Sequence, residues 1–126
     1  MSDLRYFQYG EFDSPDKDGS GKPENEGGCM NYNFLCLLDI ARENAGVPFK
    51  ITSGYRTPAH NAKVGGRLGS SHLKGLAVDI ACSDSATRGK IITGLFLAGL
   101  GRRIGIAKDF IHVDMDMDKP ACIWLY

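Results

Sequence analysis

Between Asn33 and Asn44 the apolar residues Phe34, Leu37, Leu38 and Ala41 recur at helical spacing, with Asp39, Arg42 and Glu43 between them. This period predicts an amphipathic helix packed on a core, ended by Gly46 and Pro48. Phe49 to Thr52 reads as a short strand. The turn-rich run Ser53-Gly54-Tyr55-Arg56-Thr57 follows, and Pro58 suits the first turn of a short helix, which places Arg56 at the strand's C-terminal edge. Leu76 to Ala81 is an apolar run carrying one acid, Asp79, consistent with a buried strand whose charge needs a partner. Ser83 or Asp84 can cap a second helix through Ile91, Ile92, Leu95, Phe96 and Leu100, with Gly99 and Gly101 at its exit.

Arg103 to Ala107 predicts another strand, and Ile123 to Tyr126 a last one. Between them His112, Asp114, Asp116 and Asp118 alternate with Val113, Met115 and Met117, the two-residue period of a strand with one polar and one apolar face. Asp13 to Gly28, rich in Asp, Gly, Pro, Ser, Glu and Asn, reads as a long surface loop. Its Asp16-Lys17-Asp18-Gly19-Ser20 is like part of a calcium loop, but an Asp at the first position and a Glu at the twelfth do not occur together, so a solvated loop is the reading. The order does not alternate as a doubly wound parallel sheet does. It predicts an α+β fold, helices packed on a small, mainly antiparallel sheet, in one domain spanning residues 1–126.

Fifteen basic residues balance fifteen acidic ones, so net charge gives no reason to expect nucleic acid or an anionic membrane as partner. Function must come from a local site. The N-terminus has no apolar signal region and no segment approaches the roughly 18 apolar residues of a membrane span. The expectation is a monomeric protein made in the cytoplasm without a signal peptide and without membrane insertion. Cys29, Cys36, Cys82 and Cys122 form no CxxC pair, and buried, reduced thiols are expected.

Two of the three histidines have carboxylates close by: His72 lies seven residues before Asp79, and His112 falls between Asp109 and Asp114. Two imidazole nitrogens and one carboxylate oxygen leave a tetrahedral zinc one open position, the arrangement of a hydrolytic rather than a structural site. A turn at Gly75 would let His72 and Asp79 converge on one ion. Taken one at a time, such a histidine is more often a hydrogen-bonded structural residue than a ligand, and a buried Asp often a turn or cap partner.

The whole constellation carries more. Ser53-Gly54-Tyr55-Arg56-Thr57, His60-Asn61 with Val64-Gly65-Gly66, Ser70-Ser71-His72 with Gly75-Leu76-Ala77-Val78-Asp79-Ile80, and Phe110-Ile111-His112-Val113-Asp114 follow one another in order. In this the chain resembles the zinc D-Ala-D-Ala carboxypeptidases of the VanX and VanY type, whose hedgehog/DD-peptidase fold is shared with phage endolysins that cut the L-Ala-D-Glu bond.

The resemblance implies a zinc peptidase acting on stem peptides of bacterial peptidoglycan, with His72, Asp79 and His112 as metal ligands. It makes Asp109 the catalytic base, Arg56 the cation that stabilises the oxyanion and binds substrate, and Ser70 a substrate-binding residue. An ST-turn before His72 is the alternative for Ser70, and Asp114 the alternative base, although a second role for Asp114 is as a hydrogen-bond partner of an imidazole. Asp109 serves only from a turn before the strand, since residues three apart on a regular strand face opposite ways. Many such carboxypeptidases have Glu at the position of Asp109, and some have His at that of Phe110. His60 reads as a surface residue, and Trp124 and Tyr126 as packing on a terminal strand ahead of a groove lining. A metal-stabilised binding module of hedgehog type, without turnover, is the alternative function. The missing signal peptide fits a phage or prophage enzyme that reaches the cell wall after release, or a cytoplasmic dipeptidase.

Overall fold

The computed structural model describes residues 3–126 as three α-helices packed with a five-stranded sheet, α1 and α3 covering one of its faces. Helix α1 (Tyr32–Ala45) starts where the Asn31 side chain accepts a hydrogen bond from Phe34 N, and ends at Gly46 in the left-handed conformation. Strand β1 (Ile51–Ser53) leads into α2 (Pro58–Lys63), capped by Thr57 with Pro58 in its first turn. A 3₁₀ turn (Ser71–Lys74) precedes β2 (Ala77–Ala81). Asp84, one of the two caps expected, opens α3 (Ser85–Leu97) by accepting from Thr87 N. Strands β3 (Arg103–Ile106), β4 (Phe110–Asp114) and β5 (Cys122–Leu125) complete the chain.

The strand order is β1-β2-β4-β3-β5, antiparallel throughout except for the parallel pair β3–β5. The expected α+β architecture is therefore present. Because strand side chains alternate, the register separates two faces. Toward the helices, Val78, Val113 and Ile104 form one row across β2, β4 and β3, and Ile80 and Ile111 pair beside it. All five are fully buried with Phe34, Leu35, Leu38, Ile91 and Leu95 of the helices. At about 25 cal/mol per Å² of apolar surface removed from water, this layer is the main source of stability. The opposite face carries the polar members of the same strands.

One expectation is corrected. The polar alternation after His112 predicted a strand running on through Asp116 and Asp118, but β4 stops at Asp114. Asp114 Oδ1 accepts from Asp116 N at 3.1 Å, Asp116 Oδ1 from Asp118 N at 3.1 Å, and the Asp116 carbonyl from Lys119 N at 3.3 Å. These side-chain turns take the backbone donors that a strand would offer to its neighbour. The segment 13–28 forms no strand or α-helix, only a 3₁₀ turn over Glu24–Glu26. It is nevertheless pinned: Ser14 is buried and its hydroxyl accepts from Thr57 N, and Asp13 accepts from Gly21 N.

Candidate metal centre

On the face turned away from α1 and α3, Ser53, Asp79, His112, Gly105 and Trp124 are successive register partners across all five strands. Asp79 and His112 are thus neighbours because β2 and β4 pair there. His72 reaches them from the 3₁₀ turn, which ends at Gly75 with φ +70°. A Cβ on Gly75 would also lie 1.9 Å from the carbonyl oxygen of Cys29, so only glycine lets the chain reverse between His72 and Asp79 at this spot.

The carboxylate oxygen Asp79 Oδ1 lies 2.9 Å from His112 Nδ1 and 3.4 Å from His72 Nε2. One donor atom from each residue falls within 4.8 Å of the others. Donors of a tetrahedral zinc at ordinary bond lengths stand roughly 3.3 Å apart, so the set needs little adjustment to hold such an ion. The far side of each imidazole is also committed. His72 Nδ1 lies 2.8 Å from the Gly54 carbonyl and donates to it, which leaves Nε2 as the lone pair facing Asp79. His112 Nε2 lies 2.7 Å from Asp114 Oδ2, which leaves Nδ1 for the same point. Asp114 in turn accepts from Arg103 Nε at 2.8 Å. The residues present fit a divalent metal held by two nitrogens and one oxygen.

The electrostatics match this grouping. Burial works to raise the pKa of Asp79, but hydrogen bonds from His112 and His72 outweigh it and hold the carboxyl far below the usual range. Burial likewise opposes charge on His112, yet its contacts with Asp114 and Asp79 win and raise its pKa. Asp114 is lowered, against its own burial, by His112, the Asp116 amide and Arg103.

The three donors lie in the wall of an open cavity of about 650 Å³. Arg56 lines it, with Nη2 3.6 Å from Asp79 Oδ2, Nε donating to Ser53 Oγ and Nη1 to Asn61 Oδ1. Its backbone N–H binds the His72 carbonyl at 3.2 Å, tying the two predicted residues together. Ser70 lines the cavity as well, while its Oγ accepts from His72 N at 3.3 Å, the ST-turn that was its other reading.

Residues 6–114 match the family model described as Peptidase M15. The chain belongs to the peptidase M15 family. Comparison with curated proteins returns no match. Peptidases of the M15 family are zinc-dependent metallopeptidases, and His72, Asp79 and His112 form a cluster that could hold a metal ion.

One predicted site residue is not brought to the cavity. Phe110, His112 and Asp114 share the cavity face of β4, so Asp109 falls on the preceding turn. Its carbonyl accepts from Cys82 N, continuing the ladder in register, and its carboxylate is exposed with no partner among the described residues. Sequence reasoning also missed residues that line this cavity. Trp124 and Tyr126, expected as packing, line the cavity, with the Trp124 ring 5.4 Å from that of His112. Gly105 makes this possible, because a Cβ there would lie 2.6 Å from the Trp124 ring. Arg103, Ser71 and Lys119 line the same cavity, and Cys122, expected buried, is exposed at its wall. His60 contributes nothing to it. No helix among the described residues is long and apolar enough to cross a membrane.

Proposed function

We propose that this M15 peptidase hydrolyses peptide bonds in the stem peptides of bacterial peptidoglycan, as a D-Ala-D-Ala carboxypeptidase or a related endopeptidase. The observation that carries the reading is the convergence of His72 Nε2, Asp79 Oδ1 and His112 Nδ1 at the wall of an open cavity beside Arg56. Zinc held by these three residues would supply the Lewis acid that polarises a carbonyl and acidifies water.

In this reading Arg56, fixed by Ser53 and Asn61, offers a rigid cationic fork to the oxyanion of the scissile carbonyl. Ser70 aligns the peptide. The proton acceptor is Asp109 by motif position. Asp79 and Asp114 are the carboxylates that line the cavity, and both are bound to histidines. Asp109 is uncommitted and adjoins Phe110 at the cavity wall. The same absence of a free carboxylate inside the cavity favours the second reading, a metal-stabilised binding module without turnover.

Incubation of the zinc-loaded protein with purified peptidoglycan separates these. An endopeptidase clears the suspension, a carboxypeptidase leaves it turbid and releases D-Ala, and mass spectrometry of the products identifies the bond. A suspension that stays turbid and releases no D-Ala would overturn the peptidase reading in favour of the binding module.

A further inference from the structure

After Asp114 the chain leaves the sheet and passes over the 3₁₀ turn that carries His72, and this detour places Lys119 against Ser71. The Lys119 ammonium donates to Ser71 Oγ at 2.9 Å. Ser71, almost fully buried, spends its own proton on Asp116 Oδ2 at 2.8 Å. Asp116 needs no further cation, since Lys74 Nζ lies 3.1 Å from one of its oxygens and 3.0 Å from the other. Lys119 Nζ stands 3.8 Å from Asp116, beyond hydrogen-bond reach.

An ammonium has three donors, and here one of them is spent on a neutral hydroxyl. The other cations of the cavity differ. Arg56 is committed to Ser53, Asn61 and Asp79, and Arg103 to Asp114 and the Pro120 carbonyl. Arg67 is exposed. The backbone of Lys119 is held on both sides of its Cα: its N–H binds the Asp116 carbonyl at 3.3 Å and its carbonyl accepts from Arg102 at 2.6 Å. Its side chain is 32% exposed, open on the cavity side. It is a positioned cation, with donors to spare, at the wall of a site for peptides.

We propose that Lys119 is a specificity-determining residue that binds a carboxylate of the peptide substrate. The inference rests on the peptide-cleaving reading above for its substrate class, but not on turnover. The carboxylate comes from the C-terminus of the peptide or from an acidic side chain, and the two are separable.

Trp124 is the single tryptophan of the chain and lines the cavity, so its fluorescence reports occupancy without catalysis. The zinc-loaded protein is titrated with acetyl-D-Ala-D-Ala and its C-terminal amide, and with acetyl-L-Ala-D-Glu α-amide, whose γ-carboxylate is free, and the matching D-Gln α-amide. The expected result is that the protein prefers the acid in one of the two pairs by roughly 10- to 100-fold, the range of a hydrogen bond to a charged group. Lys119→Met abolishes that preference while zinc content is kept, and Lys119→Arg restores part of it. The pair that responds names the source of the carboxylate. A lysine that merely props Ser71 would change stability and leave the acid-to-amide ratio untouched. An equal affinity for acid and amide in both pairs, or a preference that survives in Lys119→Met, would overturn the inference. A Lys119-dependent preference without cleavage of peptidoglycan would uphold it and sink the peptidase reading; cleavage without any preference would do the reverse.

Discussion

Arg103 donates through Nε to Asp114 at 2.8 Å while its guanidinium lies 4.9 Å from the centre of the Trp124 ring. One side chain therefore supports the carboxylate behind His112 and the aromatic wall of the cavity. Removing it would leave Asp114 buried beside His112 without its cation. Arg103→Leu is expected to lower the stability of the metal-free protein by about 3–5 kcal/mol, the cost of breaking a buried pair from one side. Urea denaturation measures this, and a loss under about 1 kcal/mol would contradict the pairing.

Asp114→Asn tests the hold on His112 itself. An amide can present NH₂ to the imidazole and so compete for the wrong nitrogen. Zinc affinity, read by competition with a chromophoric chelator, is expected to fall roughly 10- to 100-fold. Asp79→Ala, which removes a donor, should cost more. Equal affinities in both variants would place Asp79 outside the metal's coordination.

Asp109→Asn separates catalysis from metal binding. With the base at this position, zinc content and fold persist while turnover drops about 10²- to 10⁴-fold. Near-parental turnover on a substrate the unaltered protein cleaves would remove Asp109 from the mechanism, as its exposed carboxylate allows.

The raised pKa of His112 gives a signed pH effect. Without metal, a histidine raised above its unfolded value of about 6.5 adds stability that is complete below that pH and is lost as pH rises through the folded value. Asp79, lowered, adds stability present above about pH 4 and lost only on strong acidification. The metal-free protein should therefore melt lower at pH 8 than at pH 6. Zinc competes with the proton on His112, so the zinc-induced rise in Tm should be larger at pH 8. Calorimetry with and without zinc checks both signs, and His112→Gln should flatten the metal-free trend.

Gly75→Ala tests the reversal between His72 and Asp79. A left-handed residue pressed against the Cys29 carbonyl should cost about 1–3 kcal/mol and displace His72. Loss of zinc affinity at unchanged Tm would show that the strain is absorbed in the site alone; no change in either would refute the packing argument.

Helical and strand periods located α1, α3, β2 and β4 because each buries one face in a shared core, and burial is what such periods record. The motif around His72, Asp79 and His112 marked a site, and the β2–β4 register explains why residues so distant in sequence meet. Other parts were hidden for physical reasons. The Asp114–Asp116–Asp118 alternation looks like a strand until side-chain turns claim its amides. Lys119 and Ser71 meet across two turns, where no period applies. Trp124 and Tyr126 sit on an edge strand, and which face of such a strand matters depends on what lies beside it. Arg103 looked like the first residue of a strand, with nothing to mark its buried partner.

The sheet order gives the two halves of the cavity unequal anchorage. Asp79 and His112 belong to β2 and β4, each flanked on both sides, whereas Trp124 belongs to β5, which the sheet holds through β3 alone. Interior strands open only with the whole domain, and an edge strand can detach at a fraction of that free energy. The floor that carries Asp79 and His112 is thus built to stay while the aromatic wall is free to breathe. Changes to the wall, by substitution or by insertion after Asp118, can retune which peptide fits without disturbing the histidine–carboxylate cluster beneath it.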